Sequence, residues 1–474
     1  MNFEAIIGIE IHVEMKTKTK MFSSSPNRFG ALPNTLVTPL DMAFPGTMPV
    51  VNKQAVINAI RVSNALHMKI DNELWFDRKN YFYADLPKGF QITQDKRPIG
   101  KEGYVEITTS TGTKKVGIER LHMEEDTCKQ LHLADYSLLD YNRAGTPLVE
   151  IVSKPELKNG EEAMKYVEQI RQIVVYSNVS DGKMEEGSLR CDVNISIRPV
   201  GSDKFGTKVE IKNLNSLANV QRAIDFEMKR QAKLLLSGGV VEQETRRFDE
   251  TKKETVLMRK KTDAVDYKYF TEPNIVPIRL SDKFIQEAID TCPELASSKK
   301  ERYMKLGLVD SEAEQILSSL ELSKYFDKCI ALSNSIKSIW NFVTVDIASY
   351  LNKNNIKIED FIVTPENVVK LLSLIEKGDL SYTQGRKVFE NMVKNNEDPE
   401  ALQEKMGLKQ NSNIDEIRTL CIEIIDNNPQ SVSDFKNGKD RAMGFLVGQV
   451  MKASKGKANP QIVSKIVREI LLSK

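Results

Sequence analysis

Glu10 and His12 stand two residues apart in a segment whose flanking positions, Ile7, Ile9, Ile11 and Val13, are all aliphatic. Side chains of an extended strand alternate between its faces, so this spacing puts the carboxylate and the imidazole on one side and an apolar row on the other. Three further segments repeat the arrangement. From Ile118 to Glu124, Leu121 and Met123 pack while His122 and Glu124 project, and Glu125 and Asp126 follow at the strand end. From Leu189 to Ile197, Leu189, Cys191, Val193, Ile195 and Ile197 alternate with Arg190, Asp192, Asn194 and Ser196. From Thr207 to Lys212, Val209 and Ile211 pack while Lys208, Glu210 and Lys212 project.

If these strands share one antiparallel sheet, Glu10, His12, Glu124, Asp192 and Glu210 converge on its polar face. Carboxylates gathered there repel one another unless a cation holds them, and oxygen donors with one imidazole and no thiolate suit Mg²⁺ or Mn²⁺ rather than structural zinc. Such a site is what phosphoryl transfer from ATP requires, with Lys or Arg neutralising the developing charge. Carboxylates on the solvent face of half-buried strands are also ordinary, and the pattern alone leaves both readings open. Residues 201–208 carry the glycines of a phosphate loop but reverse its last two residues, and they read as a hairpin turn. No His-Glu-x-x-His, Gly-x-Ser-x-Gly or Gly-Gly-Ser-Ser-Gly-Gly run occurs, so a nucleophile for amide hydrolysis is not visible.

The elements that must position these residues form an α+β arrangement followed by a helical one. With 474 residues the chain is too long for a single core. Helical spacing of Ala55, Ala59, Val62 and Leu66, of Ala163, Val167, Ile170 and Val174, and of Leu217, Val220 and Ile224 marks three helices among the strands. Gly238 and Gly239 stop the third. Beyond Cys292 helical patterns dominate, as in 312–320 and 365–376. The polar run 407–413 reads as a linker to a final helical module. The predicted division is 1–292, 293–407 and 408–474.

Charge is balanced overall, 68 Lys and Arg against 66 Asp and Glu, and so neither demands nor excludes nucleic acid. Residues 431–474 hold nine Lys or Arg and three Asp or Glu, a local excess of six positive charges. A phosphate-backbone contact and a solvated helix surface both fit that excess. The five cysteines, Cys128, Cys191, Cys292, Cys329 and Cys421, are scattered without a Cys-x-x-Cys pair, as reduced cytosolic thiols are, and Cys191 is expected in the core. Glu4 stands where a secretory leader would be positive, and no apolar run is long enough to span a membrane. A cytoplasmic, membrane-free protein is the expectation.

The same segments carry a resemblance. IGIEIHV (7–13), DRKNYFY (77–83), RLHMEED (120–126), NRAGTPLVEI (142–151), MEEGSLRCDVN (184–194), EIKNLNS (210–216) and AMGFLVGQVMK (442–452) occur in an order similar to that of the B-subunit family of the aspartyl/glutamyl-tRNA(Asn/Gln) amidotransferases. The resemblance implies a cradle domain built on an antiparallel sheet with helices, a helical domain and a small tRNA-binding tail. It also implies ATP-dependent activation of the misacylated side chain of Glu-tRNA(Gln) or Asp-tRNA(Asn), followed by attack of ammonia. Partners would be an amidase (A) subunit supplying the ammonia, a small C subunit, and tRNA(Gln) or tRNA(Asn).

On this footing the metal and phosphate candidates are Glu10, His12, Glu124, Glu125, Glu150, Asp192 and Glu210, with ATP and Mg²⁺ as cofactors. Lys79 and Lys208 are candidates for neutralising phosphate charge, and Arg190 and Asn194 for nucleotide binding. Glu150 has the weakest pattern, because it shares its strand face with Leu148 and Val152. Tyr81, Phe82 and Tyr83, beside Lys79, are candidates for placing the tRNA 3′ end, with Phe82 the one expected in the core by alternation. Lys436, Lys439, Arg441, Lys452, Lys455 and Lys457 are the expected tRNA phosphate contacts. Many relatives carry paired cysteines forming a zinc knuckle near positions matching Ser23 to Ser25 and Asp41 to Phe44. None stands there in this chain, so no structural zinc is expected and the loop must hold itself by packing alone. Two rivals remain: a stand-alone metal-dependent phosphotransferase or ATP-grasp-like ligase, and a non-catalytic tRNA-binding scaffold.

Overall fold

The alternation around Glu10 becomes a long strand, β1 (Phe3–Glu14), whose Ile7, Ile9, Ile11 and Val13 are at most 1% exposed. This is a computed structural model, and it describes residues 2–260, 266–408, 414–436, 439, 441–454 and 458–473. The chain divides into two compact units, Met1–Ala296 and Ser297–Lys474.

In the first unit β1 lies at the middle of a sheet that has nine strands among the described residues. The strands that matter to the site are β2 (Gly112–Glu125), β3 (Pro147–Ser153), β4 (Leu189–Pro199) and β5 (Val209–Lys212). Their order is β5-β4-β1-β3-β2, with Glu254–Lys260 and Glu244–Asp249 continuing beyond β5, and Gly100–Thr109 and Lys69–Ile70 beyond β2. The strands pair antiparallel, as expected, with one parallel pair added where β5 meets Glu244–Asp249. The cause is the helix α3 (Leu217–Leu236) that connects these two strands, since a crossover helix brings the chain back in the same direction.

The apolar face of the sheet is covered by α1 (Lys53–Ala65), α2 (Gly160–Tyr176) and α3, whose Ala59, Val62, Val167, Ile170, Val220 and Ile224 join the strand aliphatics in one buried cluster. Each helix starts on a capping side chain: Asn52 accepts from Gln54 and Ala55, Asn159 from Glu162, and Ser216 from Asn219. The third stops where the glycines predict, at Leu236, with Gly238 at φ +79°. Cys191 lies in the buried row of β4, and all five cysteines are free thiols. Residues 200–208 join the antiparallel neighbours β4 and β5, and a Cβ on Gly206 would sit 2.1 Å from the Ile197 carbonyl oxygen, so only glycine fits there.

A small three-stranded sheet, Phe270–Thr271, Asp77–Asn80 and Phe90–Thr93, seats beside β2. The Gln91 side chain donates to the Glu125 carbonyl (2.7 Å), and the Met123 amide donates to Gln94 Oε1 (3.0 Å). One expectation fails in the chain's first loop. Residues 20–44 are fastened by polar bonds, not by packing alone. Lys20 and Asp41, both buried, form an ion pair at 3.6 Å, and Asp41 also accepts from Ser23 Oγ, the Thr38 amide and Thr38 Oγ1, each at 2.8 Å.

The second unit is helical among its described residues. The predicted helix 312–320 is two, Asp310–Leu317 and Leu320–Leu332, because the Ser319 side chain caps the second by accepting from the Leu322 amide. Pro365–Glu376 matches its predicted span. The tail helices Ile414–Asp426, Arg441–Ala453 and Pro460–Ser473 enclose an apolar cluster of their own, with Ile417, Cys421, Leu446, Val450, Val463 and Val467 at its centre. The predicted linker lies outside the described residues from 409 to 413. Among the described residues no helix is long and apolar enough to cross a membrane.

Candidate functional site

Backbone register alone builds the site. Arg190 on β4, His12 on β1, Glu150 on β3 and His122 on β2 stand directly opposite one another across four adjacent strands. One step along, Asp192 faces Glu10, and at the next step Asn194 faces Glu210 on β5. Residues in register on one sheet face lie about 5 Å apart at Cβ, so the side chains must interact.

Glu150 is the hub. It lies 3.4 Å from His12 Nε2 and 3.2 Å from His122 Nε2, while Glu124 reaches the same two nitrogens at 3.9 and 3.7 Å. One donor atom from each of His12, Glu124 and Glu150 falls within 4.8 Å of the others, a separation that a single hard cation bound at about 2.0–2.6 Å can bridge. Glu10 accepts a hydrogen bond from Asn194 (2.9 Å). Asp192 and Glu210 flank Lys212, at 2.5 and 3.0 Å from its ammonium, and Thr245 donates to Glu210.

The electrostatics of this face are those of crowded, half-dry charges. Burial first, and then the Glu150 and Asp192 charges, raise the Glu10 pKa. Burial opposes protonation of His122, but Glu150 and Glu124 outweigh it and push the imidazole up to about 9. Glu150 is held well below the usual carboxylate range against its own burial, because His122 and His12 stabilise its anion. His122 has a buried Nδ1 without a hydrogen-bond partner.

Several candidates are placed otherwise than the sequence suggests. Glu125 follows Glu124 directly in β2 and therefore points away from the cluster; it pairs with Lys88 and accepts from the Ile92 amide (3.0 Å). Lys208 is exposed and precedes the first residue of β5, while Lys212 makes the carboxylate contacts. Phe82 is 93% exposed rather than core, because the strand ends at Asn80 and alternation no longer applies. Lys79 stands on that strand, and the nearby Glu124 and Glu150 help raise its pKa against burial. Arg190 reaches out of the row to Asp126, which Arg143 also approaches at 3.7 Å. In the tail, Lys436, Lys439, Arg441 and Lys452 are exposed, Lys439 pairing with Asp434. Lys455 and Lys457 lie outside the described residues.

His122, Lys212 and Asp126 carry no role in the sequence reading. The signal for the first two is present, since alternation places His122 with Glu124 and Lys212 with Glu210. For Asp126 nothing local could reveal that two arginines from 17 and 64 residues away converge on it.

Comparison with known proteins identifies the family. Residues 5–286 match the family model described as GatB/GatE catalytic domain, and residues 324–471 match the GatB domain. The chain is 49% identical over 471 residues to the B subunit of the aspartyl/glutamyl-tRNA(Asn/Gln) amidotransferase of Geobacillus thermodenitrificans, covering 99% of each. It is 50% identical to the B subunit from Bacillus licheniformis, again over 99% of each chain. The first family match holds the whole imidazole–carboxylate row, and the chain belongs to the B-subunit family of the aspartyl/glutamyl-tRNA(Asn/Gln) amidotransferases.

Proposed function

We propose that this chain is the activating, tRNA-binding subunit of a glutamine-dependent amidotransferase that converts Glu-tRNA(Gln), Asp-tRNA(Asn) or both to the amidated forms. A free carboxylate is a poor electrophile. ATP must first phosphorylate the misacylated side chain, and ammonia then displaces phosphate from the acyl phosphate. The observation that carries the reading is the donor set of His12, Glu124 and Glu150 at the centre of a polar sheet face, flanked by Lys79, Arg190 and Lys212.

In this reading His12, Glu124 and Glu150 hold Mg²⁺, with Glu10 and Asp192 beside them. The ion would supply charge neutralisation for the transferring phosphoryl group. His122 fixes Glu150 from the far side, Lys212 fixes Asp192 and Glu210, and Asn194 orients Glu10. Lys79, on the small sheet, feels the Glu124 and Glu150 charges and would meet phosphate oxygens. Ammonia would come from glutamine in a separate amidase subunit, with a small third subunit completing the enzyme, in keeping with the missing amidase signature. Three parts, 1–292, 293–407 and 408–474, would then serve as catalytic cradle, helical connector and tRNA-binding tail in a cytoplasmic enzyme.

The test is amidation by the reconstituted complex with each misacylated tRNA, with and without Mg²⁺. ATP turnover by the isolated chain with a small acid and no tRNA would favour the phosphotransferase instead. Unimpaired amidation after Asp192→Asn would favour a scaffold with structural carboxylates.

A further inference from the structure

Four tyrosines from two distant segments form a row beside Lys79. Its ammonium lies 4.8 Å from the ring centre of Tyr267 and 5.8 Å from that of Tyr81. The rings run in a row, Tyr83 to Tyr81 at 6.2 Å, Tyr81 to Tyr267 at 5.9 Å and Tyr267 to Tyr269 at 6.0 Å, each pair edge to face. The row is not core packing: its two ends stay in solvent, Tyr83 at 61% and Tyr269 at 38% exposure. Among the described residues the Lys79 ammonium has ring faces for neighbours and neither a hydrogen bond nor an ion pair.

The second segment is stitched to the first by its backbone. The Asn80 amide donates to the Tyr267 carbonyl (3.0 Å), the Asn80 side chain donates to the Lys268 carbonyl (2.8 Å), and Phe270 pairs with Arg78. Arg78 in turn stacks over Phe90 at 3.9 Å and grips Glu272 with two hydrogen bonds. Between the two tyrosines Lys268 adopts φ +45°, a left-handed conformation rare for a side-chain-bearing residue, and its amide is held by Asp266 Oδ1 (2.9 Å). Strain of this kind persists where the surroundings impose a geometry, and it collects at ligand sites.

We infer that Tyr81, Tyr267 and Tyr269 form a subsite around Lys79 for an unstacked nucleobase and its phosphate, making Tyr267 and Tyr269 positioning residues for a nucleotide. Aromatic faces stack on any base, and a cation without an acceptor awaits an anionic oxygen. Thr93, on the strand paired with that of Lys79, donates to Glu124 (3.3 Å), which sets this subsite beside the proposed metal donors. Two nucleotides offer the same chemistry, the terminal adenosine of the tRNA acceptor end and ATP itself. The inference rests on the proposed function, whose substrates they are.

The experiment uses the assembled complex with Tyr267→Ala, Tyr269→Ala, Tyr267→Phe and Tyr269→Phe, reading KM for misacylated tRNA, KM for ATP, kcat and the partner's glutaminase rate. Loss of a stacking face should raise one KM by about 5- to 100-fold and leave kcat within a few-fold, and Phe should restore it because the ring face remains. A rise confined to tRNA assigns the base to the acceptor end, and a rise confined to ATP assigns it to the nucleotide. Both KM values unchanged in the Ala variants, or Phe failing as badly as Ala, overturns the subsite. Direct binding of ATP and of an RNA hairpin with a single-stranded 3′ end, measured on the same complexes, decides the question independently of turnover. Wild-type complex without ATP-dependent amidation would sink the proposed function, whereas unchanged binding and KM in an active complex would sink only the subsite. Tyr269, partly in solvent, can be removed without opening a cavity and guards against a folding failure.

Discussion

The polar face of the sheet and the basic tail both concentrate charge, yet they do so in opposite ways. On the sheet, Arg190, His12, Glu150 and His122 are fixed in register by four paired strands, and the two imidazoles and Glu150 change one another's protonation. In the tail, Lys436, Lys439, Arg441 and Lys452 stand exposed on or between helices whose apolar sides pack elsewhere. Charges locked in a half-buried row act as one unit, so that removing one disturbs all. Charges scattered in water act additively and are screened by salt.

That difference can be broken at its strong end first. His12→Ala or Glu150→Gln should lower ATP-dependent amidation by about 10³-fold or more, since a metal site contributes several kcal/mol of charge stabilisation. Glutaminase activity of the partner, measured without tRNA, should survive at least in part. Near-normal amidation in either variant would end the claim that the row is one unit.

Next comes a buried pair that does no chemistry. Lys20→Met leaves Asp41 buried without its cation and should cost about 3–5 kcal/mol of stability by denaturant titration. Combining it with Asp41→Asn should recover part, because the unpaired buried charge is gone while an amide oxygen still accepts from the Ser23 or Thr38 donors. If the double variant is no better than the single one, the pair is not the fastening of that loop.

Deleting the tail from Ile414 onward is expected to weaken tRNA binding by about tenfold at low salt and to flatten its salt dependence, leaving glutaminase activity intact. Equal salt slopes with and without the tail would reduce its basic surface to a solvated helix face. Smallest of all is Lys452→Ala, which should change tRNA affinity by no more than a few-fold and lower the salt slope by about 1. A single-residue loss as large as that of His12 would erase the contrast between the two regions.

The strands and their polar face are legible because period-two alternation is a property of consecutive residues. Ile7 to Val13 and Leu189 to Ile197 declare their two faces without reference to the rest of the chain. What cannot be read locally is the end of an alternating run and what crosses it. Alternation carried past Asn80 puts Phe82 inside, but the strand stops at Asn80 and the ring stands in solvent. Adjacency groups Glu125 with Glu124, although adjacency in a strand means opposite faces. Glu150 looks weak beside Leu148 and Val152, and only the register of three strands makes it the centre. The parallel pair at β5 and the convergence of Tyr267 on Lys79 depend on contacts between segments far apart in sequence, which no local pattern contains.

The Lys20–Asp41 pair has a consequence for where such a protein can keep its shape. A loop clasped by thiolates around a metal opens when a chelator strips the ion or an oxidant takes the sulfurs. A clasp made of an amine and a carboxylate has neither a metal to lose nor a sulfur to oxidise, so chelators and peroxide find no target in it.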